Sequence, residues 1–309
     1  MGAPALAPTG APRVVRAVRE LQRWADAERA AGRTLALVPT MGALHAGHLA
    51  LVREARGRAD RCVVSIFVNP TQFGPREDLS RYPRPFERDL ALCAEAGVDL
   101  VFAPEAGELY PPGAQTWVEV SELARPLCGA SRPTHFRGVA TVVTKLFAAA
   151  KPHLAVFGEK DFQQLALVRR LARDLCLDVE VVGVPTVREP DGLALSSRNV
   201  FLGPVSRREA LALVRALDAA EAAVDAGERG RDAVLARVRA ELARAPHAEL
   251  DYAELRDPDS LEPAPARLDG PALLALAVRF PAAGDDPAAR VRLIDNRVLR
   301  PKPAVEDRS

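Results

Sequence analysis

The sequence predicts an α/β fold, a doubly wound parallel sheet followed by a smaller C-terminal α+β unit. Three observations carry this. Across the first hundred residues, apolar runs of strand length alternate with apolar residues at helical spacing, the pattern of successive βαβ units. The run CVVSIFV, Cys62 to Val68, is apolar almost throughout, as in a parallel strand buried on both faces. Near residue 186 the character changes to alanine- and arginine-rich helix patterns and then strand-length runs, which places a domain boundary there.

Residues 1–12, made largely of Ala, Pro and Gly, read as a disordered tail. Val14, Val18, Leu21 and Trp24 recur at helical spacing and give a first helix ending near Gly32. Leu35, Leu37 and Val38 form a strand that stops at Pro39, and Leu49, Val52 and Ala55 line the helix after it. The strand Cys62–Val68 stops at Asn69-Pro70. Phe86, Leu90 and Cys93 mark a helix closed by Gly97, and Val98–Phe102 is a strand. A Pro/Gly-rich excursion over 104–135 holds a short strand at Trp117–Val120. Val139–Ala150 is a helix, Leu154–Phe157 a buried strand, Phe162–Leu175 a helix, and Val179–Val184 the last strand of this set. A loop over 185–204 leads to helices at 206–225 and 231–244 and to strands at 250–256, 272–280 and 290–295. The stretch 281–289 reads as a flexible hairpin loop.

Composition narrows the function classes. The 309 residues are 48% hydrophobic and 27% charged, as in a soluble globular protein with ample core. A net charge of +1 gives no reason to expect a nucleic-acid or acidic-membrane partner. No run is long and apolar enough to span a bilayer, and the first residues lack a signal-peptide pattern. Cys62, Cys93, Cys128 and Cys176 are far apart with no CxxC, which suits buried thiols better than disulfides or zinc. Only four lysines occur, Lys145, Lys151, Lys160 and Lys302.

Ligands of doubly wound sheets bind beyond the C-terminal ends of the strands. Four stretches leave such ends or follow them. LVPTMGALHAGHLALV, Leu37 to Val52, runs from strand through a tight turn to helix. Gly42 and Gly47 permit a sharp turn and a close approach, and the helix N-terminus is a natural phosphate seat. His45 and His48, three apart, point the same way and can donate hydrogen bonds to a phosphate as charge builds. The turn resembles the HxGH signature of the nucleotidyltransferase superfamily, which implies ATP, attack at the α-phosphate and loss of pyrophosphate. VNPTQFGPREDLSRY offers Asn69, Gln72 and Tyr82. An amide side chain both donates and accepts, which suits a substrate with a hydroxyl beside a carboxylate. In FGEKDFQQ, Gly158 follows a strand, Lys160 supplies a mobile positive charge, Asp161 is placed to cap a helix, and one of Gln163 and Gln164 faces the site. In VREPDGLALSSRNVF a turn at Pro190-Asp191-Gly192 precedes Ser196-Ser197-Arg198, a loop able to close over a triphosphate.

The order and spacing of these stretches, with HFRGVATVVTKLF between the second and third, resemble the pantoate–β-alanine ligase family over roughly residues 13–300, most strongly in 35–202. The resemblance implies a Rossmann-like ATP- and pantoate-binding domain over 13–186 and a smaller C-terminal α+β lid domain over 187–309. It implies ATP-dependent condensation of (R)-pantoate with β-alanine through pantoyl adenylate, releasing diphosphate and AMP, in a homodimer paired through the N-terminal domain; a cytoplasmic location is the expectation from the lack of a signal or spanning pattern. Met41, Gly42, Ala43, Leu44, His45, Ala46, Gly47 and His48 are then expected to line the ATP site. Gly158, Glu159, Lys160, Asp161, Val187, Leu195, Ser196, Ser197 and Arg198 complete it. His48 is the expected proton donor, with His45, Lys160 and Arg198 as catalytic partners. Gln72 and Gln164 would hold pantoate, Asn69 and Tyr82 would make lesser contacts, and Gln72 would also lie near β-alanine. Mg²⁺ accompanies ATP, held largely by phosphate oxygens and water. Asp89 is either a protein contribution to that metal or a solvated acidic residue on its helix.

Three departures from the family pattern stand out. Leu195 replaces a usual Met, Thr134 replaces a usual Gly before His135-Phe136 and implies a stiffer loop, and the 281–289 loop is long. Two other readings compete: a nucleotidyltransferase on the same fold, which keeps the nucleotide on its product, and a nucleotide-binding regulator without turnover. The two glutamine-bearing stretches argue against the first, and the presence of both His48 and Lys160 against the second. A tRNA synthetase is disfavoured by the lack of a KMSKS-like segment, a zinc motif and a basic face.

Overall fold

The computed structural model describes residues 10–74, 79, 82–284, 286 and 288–302. The chain divides into two compact units, Met1–Val187 and Arg188–Ser309. The first contains β1 (Arg13–Val15), α1 (Val18–Ala30), β2 (Leu35–Thr40), α2 (Ala46–Arg58), β3 (Arg61–Ile66), α3 (Phe86–Glu95) and β4 (Leu100–Phe102). Two single-turn helices follow, α4 (Ala106–Leu109) and α5 (Cys128–Ser131), then α6 (His135–Ala150), β5 (Leu154–Gly158), α7 (Phe162–Asp174) and β6 (Glu180–Val184).

Six strands pair in the order β1-β4-β3-β2-β5-β6, every pairing parallel. Parallel strands carry helices on both faces, and the middle strands show it: Leu35 to Val38 and Cys62 to Ser65 are buried without alternation. Helix α6 is apolar on nearly every side and is correspondingly buried from Phe136 to Ala150 on most of its positions. From β2 the chain builds outward through β3 to β4, then returns through α6 to add β5 and β6 on the other side of β2. The direction of winding therefore reverses between β2 and β5, and a crevice opens beyond the carboxyl ends of strands at such a switch point.

The second unit contains α8 (Pro204–Glu209), α9 (Ala212–Asp225), α10 (Arg231–Leu242) and an antiparallel sheet of β7 (Glu249–Arg256), β8 (Ala272–Pro281) and β9 (Arg290–Leu299) in the order β7-β8-β9. One sheet face buries Leu274, Leu276, Val278, Val291 and Leu293 against Leu213, Leu217, Val234 and Val238 of α9 and α10. The fold class expected from the sequence is the fold observed.

Several local expectations are corrected. Val14 lies in β1 and is 37% exposed, so the helix starts only at Val18; its spacing from Val18 matched a helix because two elements abut. Trp117–Val120 carries no strand. Its β-forming residues have no ladder in the described chain, Trp117 lying instead over Tyr110 with Arg137 stacked on it. The single helix expected over 206–225 is two, since the α8 pattern stops at Glu209 and α9 restarts at Ala212. Cys176 is exposed; it occupies the left-handed position just past α7, with φ 52°, where a helix commonly ends. Cys62, Cys93 and Cys128 are buried. Thr134 needs no glycine, since its backbone is right-handed at φ −98°. Most of the tail 1–12, the segment 75–78 with Ser80 and Arg81, and Asp285 and Pro287 of the 281–289 loop lie outside the described residues.

Candidate active site

Three of the four motifs converge on neighbouring strand ends of the first unit. β2 delivers the histidine turn, β3 on one side delivers Asn69 and Gln72, and β5 on the other delivers Gly158 to Asp161.

The turn is built from its backbone. Gly42 and Ala43 both sit in the left-handed region, at φ 83° and φ 51°; glycine adopts this freely, alanine at a cost. Asp89 of α3, 1% exposed, holds the strained pair, with Ala43 N donating to Oδ2 at 2.7 Å and Leu44 N to Oδ1 at 2.8 Å. The sequence left Asp89 between a metal contribution and a solvated acid. Its burial excludes the second, and its oxygens are engaged by the turn. Burial pushes its carboxyl above the usual value, while the two amides act against that rise.

His45 caps α2. Gly47 N donates to His45 Nδ1 at 3.1 Å, and His45 N donates to His48 Nδ1 at 3.3 Å. The rings lie 4.1 Å apart between centroids. Both Nδ1 atoms accept from amides, so each neutral ring carries its proton on Nε2. The environment keeps the rings neutral. Burial, then the positive charge of Lys160, lowers His45 to about 4, against an opposing effect of Asp161. Burial, then neighbouring His45, lowers His48 to about 3, with Asp161 again opposing. Lys160 and Asp161 follow β5 in a 3-10 turn, close enough to act on both imidazoles.

The β3 motif is packed against this turn. Asn69 and Gln72 are buried. Gln72 Nε2 donates to Met41 Sδ at 2.9 Å, and Asn69 Nδ2 donates to Gln72 Oε1 at 3.2 Å and to Gly138 O at 3.1 Å. Tyr82 is buried beside Phe73. Of the paired glutamines, Gln163 is committed elsewhere: it donates to Leu123 O and Pro126 O and accepts from Cys128 N. Gln164 is half-buried.

Sequence reasoning missed Arg132 and Gly138 as supports of Gln72. Its carbonyl receives Arg132 Nη2 at 3.1 Å and lies 2.9 Å from His135 Nδ1. Gly138 of α6 presses on the same turn, where a Cβ would stand 2.5 Å from Thr71 O and 2.7 Å from Gln72 N. These are backbone atoms, so Gly138→Ala must displace the Pro70–Gln72 turn. The expected result is a destabilisation of about 1–3 kcal/mol, typical of overpacking, with a raised KM for any substrate that Gln72 binds. Thermal melts and steady-state kinetics check both. Little local signal was available, since the helix expected over Val139–Ala150 left Gly138 outside it, whereas the observed helix starts at His135.

The fourth motif belongs to the second unit. Arg188 makes a forked pair with buried Asp295, at 2.7 and 3.0 Å. Glu189 accepts from Asn199 Nδ2 at 2.8 Å and from Arg207 at 2.7 Å. The loop from Arg188 to Asn199 is thus fixed at both ends, and Arg198 N donates to Ser196 Oγ at 3.2 Å within it. Leu195, Ser196, Ser197 and Arg198 are half-buried.

Among the described residues no group of three His, Cys, Asp or Glu side chains could hold a metal, and no helix is long and apolar enough to cross a membrane.

Comparison with known proteins identifies the family. The family model described as pantoate-beta-alanine ligase matches residues 13–298. The chain is 54% identical to the pantothenate synthetase of Syntrophobacter fumaroxidans over 289 residues, covering 94% of this chain and 99% of that one. The crystal structure of the pantothenate synthetase from Thermus thermophilus superposes with a TM-score of 0.85 at 49% identity, covering 94% of this chain and all (100%) of the other. The pantoate-beta-alanine ligase from Francisella tularensis, solved with beta-gamma ATP and beta-alanine, matches with a TM-score of 0.73 at 30% identity, covering 93% and 98% of the two chains. A match running from β1 into β9, at half-identical sequence and on a shared backbone, leaves one conclusion: this chain belongs to the pantoate-β-alanine ligase family.

Proposed function

We propose that this chain condenses (R)-pantoate with β-alanine at the expense of ATP, through pantoyl adenylate, releasing diphosphate and then AMP. The observation that carries the proposal is the meeting of a neutral histidine pair, a lysine and a buried amide pair at the β2/β3/β5 strand ends. Activating a carboxylate as an acyl adenylate needs no covalent enzyme intermediate. It needs two anions brought together in line and the charge at the α-phosphate stabilised as pyrophosphate leaves.

The residue roles follow from chemistry. His45 and His48 offer Nε2–H donors to the phosphates. Lys160 brings a positive charge beside them. Gln72 and Asn69, with Gln164, present donors and acceptors to the hydroxyls and carboxylate of pantoate, and Gln72 is shared with the incoming amine. Gly158 to Asp161, Val187 and Leu195 to Arg198 are proposed as further ATP contacts, Arg198 meeting the departing pyrophosphate. The 187–309 domain is proposed as the lid that keeps the adenylate from water, an exclusion such an intermediate requires. Mg²⁺ is proposed to travel with ATP. Among the described residues no group of three His, Cys, Asp or Glu side chains could hold it, so phosphate oxygens and water would supply most of its octahedral shell, and any protein contribution would come from a single carboxylate such as Asp89. A cytoplasmic homodimer is proposed from the family and from the prevalence of symmetric pairs, and sedimentation of the purified protein tests its dimeric state.

The decisive experiment is exchange of labelled pyrophosphate into ATP, with D-pantoate present and β-alanine absent. Exchange that requires pantoate supports the acyl-adenylate half-reaction. Its absence in folded protein supplied with Mg²⁺ and ATP overturns the proposal in favour of another nucleotidyl acceptor. In the same assay Gln72→Ala is expected to raise the KM for pantoate by at least about tenfold, the loss of a charge-assisted hydrogen bond, with the KM for ATP little changed. Unchanged constants would remove Gln72 from the pantoate site.

A further inference from the structure

We infer that Asp89 is the positioning residue of the histidine turn: from α3, its carboxylate fixes the Ala43 and Leu44 amides and so sets the direction in which His45 and His48 present their rings. The inference rests on the functional reading above, since it assigns what the turn must do there.

The geometry has four parts. The carboxylate is 1% exposed and accepts two consecutive amides, at 2.7 and 2.8 Å. Those amides belong to the step where the chain leaves the left-handed pair Gly42-Ala43. A non-glycine residue in that region costs about 1–2 kcal/mol and persists only where its surroundings over-determine it. The turn is also packed on the carboxylate, for a Cβ on Gly42 would lie 3.0 Å from Asp89 Oδ2 and 3.1 Å from Ile66 Cγ2. Finally, Leu44, 1% exposed, leads directly into His45, the residue that caps α2. Any displacement of the Leu44 amide is passed to His45 N, and from there to His48 Nδ1.

Two consequences separate this from other roles. The Ala43 and Leu44 amides point at α3, so the turn is a mount for imidazoles and those two amides are not phosphate donors. Each carboxylate oxygen accepts one turn amide, so Asp89 is assigned to act through the histidines, and the Mg²⁺ titration below separates this from a role as a cation ligand.

The test uses Asp89→Asn, Asp89→Glu and Cys93→Ala in the full-length protein. Asparagine keeps one acceptor but turns an NH₂ toward the other amide. Glutamate keeps the charge but moves it by one methylene. Cys93, one turn further along α3 and fully buried, reports general loss of α3 packing. Each variant is assayed for pantoate-dependent pyrophosphate exchange across a Mg²⁺ titration, and its histidine ring ¹⁵N shifts are recorded. Both Asp89 variants are expected to lose about ten- to a hundredfold in kcat, the range for a misplacement near 1 Å, with altered ring shifts and an unchanged Mg²⁺ half-saturation. Cys93→Ala is expected to lower Tm while leaving kcat and the ring shifts as they are. Activity restored by excess Mg²⁺ would make Asp89 a metal ligand and overturn the inference. Full activity in Asp89→Glu, or ring shifts unmoved in both Asp89 variants, would overturn it as well. A wild-type protein without exchange would instead overturn the functional reading, and the ring shifts would still decide whether Asp89 sets the turn.

Discussion

His48→Ala is expected to lower pantoate-dependent pyrophosphate exchange by about 10²–10³-fold, the loss typical of one preorganised donor at a developing negative charge, while the protein stays folded. The fold survives because the deleted ring makes one long bond, 3.3 Å from His45 N, and alanine suits a helix's first turn. The catalytic loss is large because the ring is held in a single tautomer. Its Nδ1 is committed to an amide, leaving Nε2–H as donor, and burial with His45 beside it keeps it neutral down to about pH 3. No reorganisation is then required as charge builds on the phosphate. The pH dependence adds a check. Both histidines are neutral in the free fold and titrate near 6.5 when unfolded, so the unfolded chain binds more protons below 6.5 and stability falls as the pH drops from 6.5 toward 4. His48→Ala should flatten that decline. Near-normal exchange in the variant, or a stability curve as steep as the parent's, would show that the ring has neither the role nor the environment described.

The parts of this site that were legible in the sequence are those written within one motif. The apolar run ending at Pro39, the two glycines and the paired histidines lie within a dozen or so residues, and each has a local meaning: strand, turn, cap. The sheet was legible for the same reason, since a strand buried on both faces writes its burial as an unbroken apolar run, as in Leu35–Val38. What escaped was pairwise and distant. Nothing in the periodicity of α3 says that Asp89 reaches Leu44, 45 positions away, or that Gly138 is small because the Thr71 backbone lies against it. Arg132 lies in a Pro/Gly-rich excursion and His135 opens α6, and nothing in either local pattern says that both meet the Gln72 carbonyl. Trp117–Val120 failed in the opposite sense. Its β-forming residues satisfy a propensity, but propensity without a neighbouring strand makes no ladder. Gln163 and Gln164 were indistinguishable by type, and burial separated them.

Lys160→Ala is the second large effect, expected to lower kcat/KM for ATP by about 10²–10³-fold, as for loss of a charged group from a phosphoryl clamp. Two actions of this lysine add. It brings positive charge to the 3-10 turn after β5, and it helps keep both imidazoles neutral, ranking just after burial at His45. A protonated His45 Nδ1 could no longer accept from Gly47 N, so the cap of α2 depends on that neutrality. Removing Lys160 should therefore raise the pH at which His45 titrates, visible in its ring ¹⁵N shifts, as well as weaken ATP binding. Lys160→Arg separates the two actions. The guanidinium restores the charge and hence the low titration of His45, but its planar fork replaces a compact ammonium and should recover only part of the rate. A double-mutant cycle of Lys160 with His45 then measures their coupling directly. Additive losses would mean that the lysine serves the phosphates alone. A coupling beyond about 0.5 kcal/mol would show that it also works by governing the charge of the ring beside it.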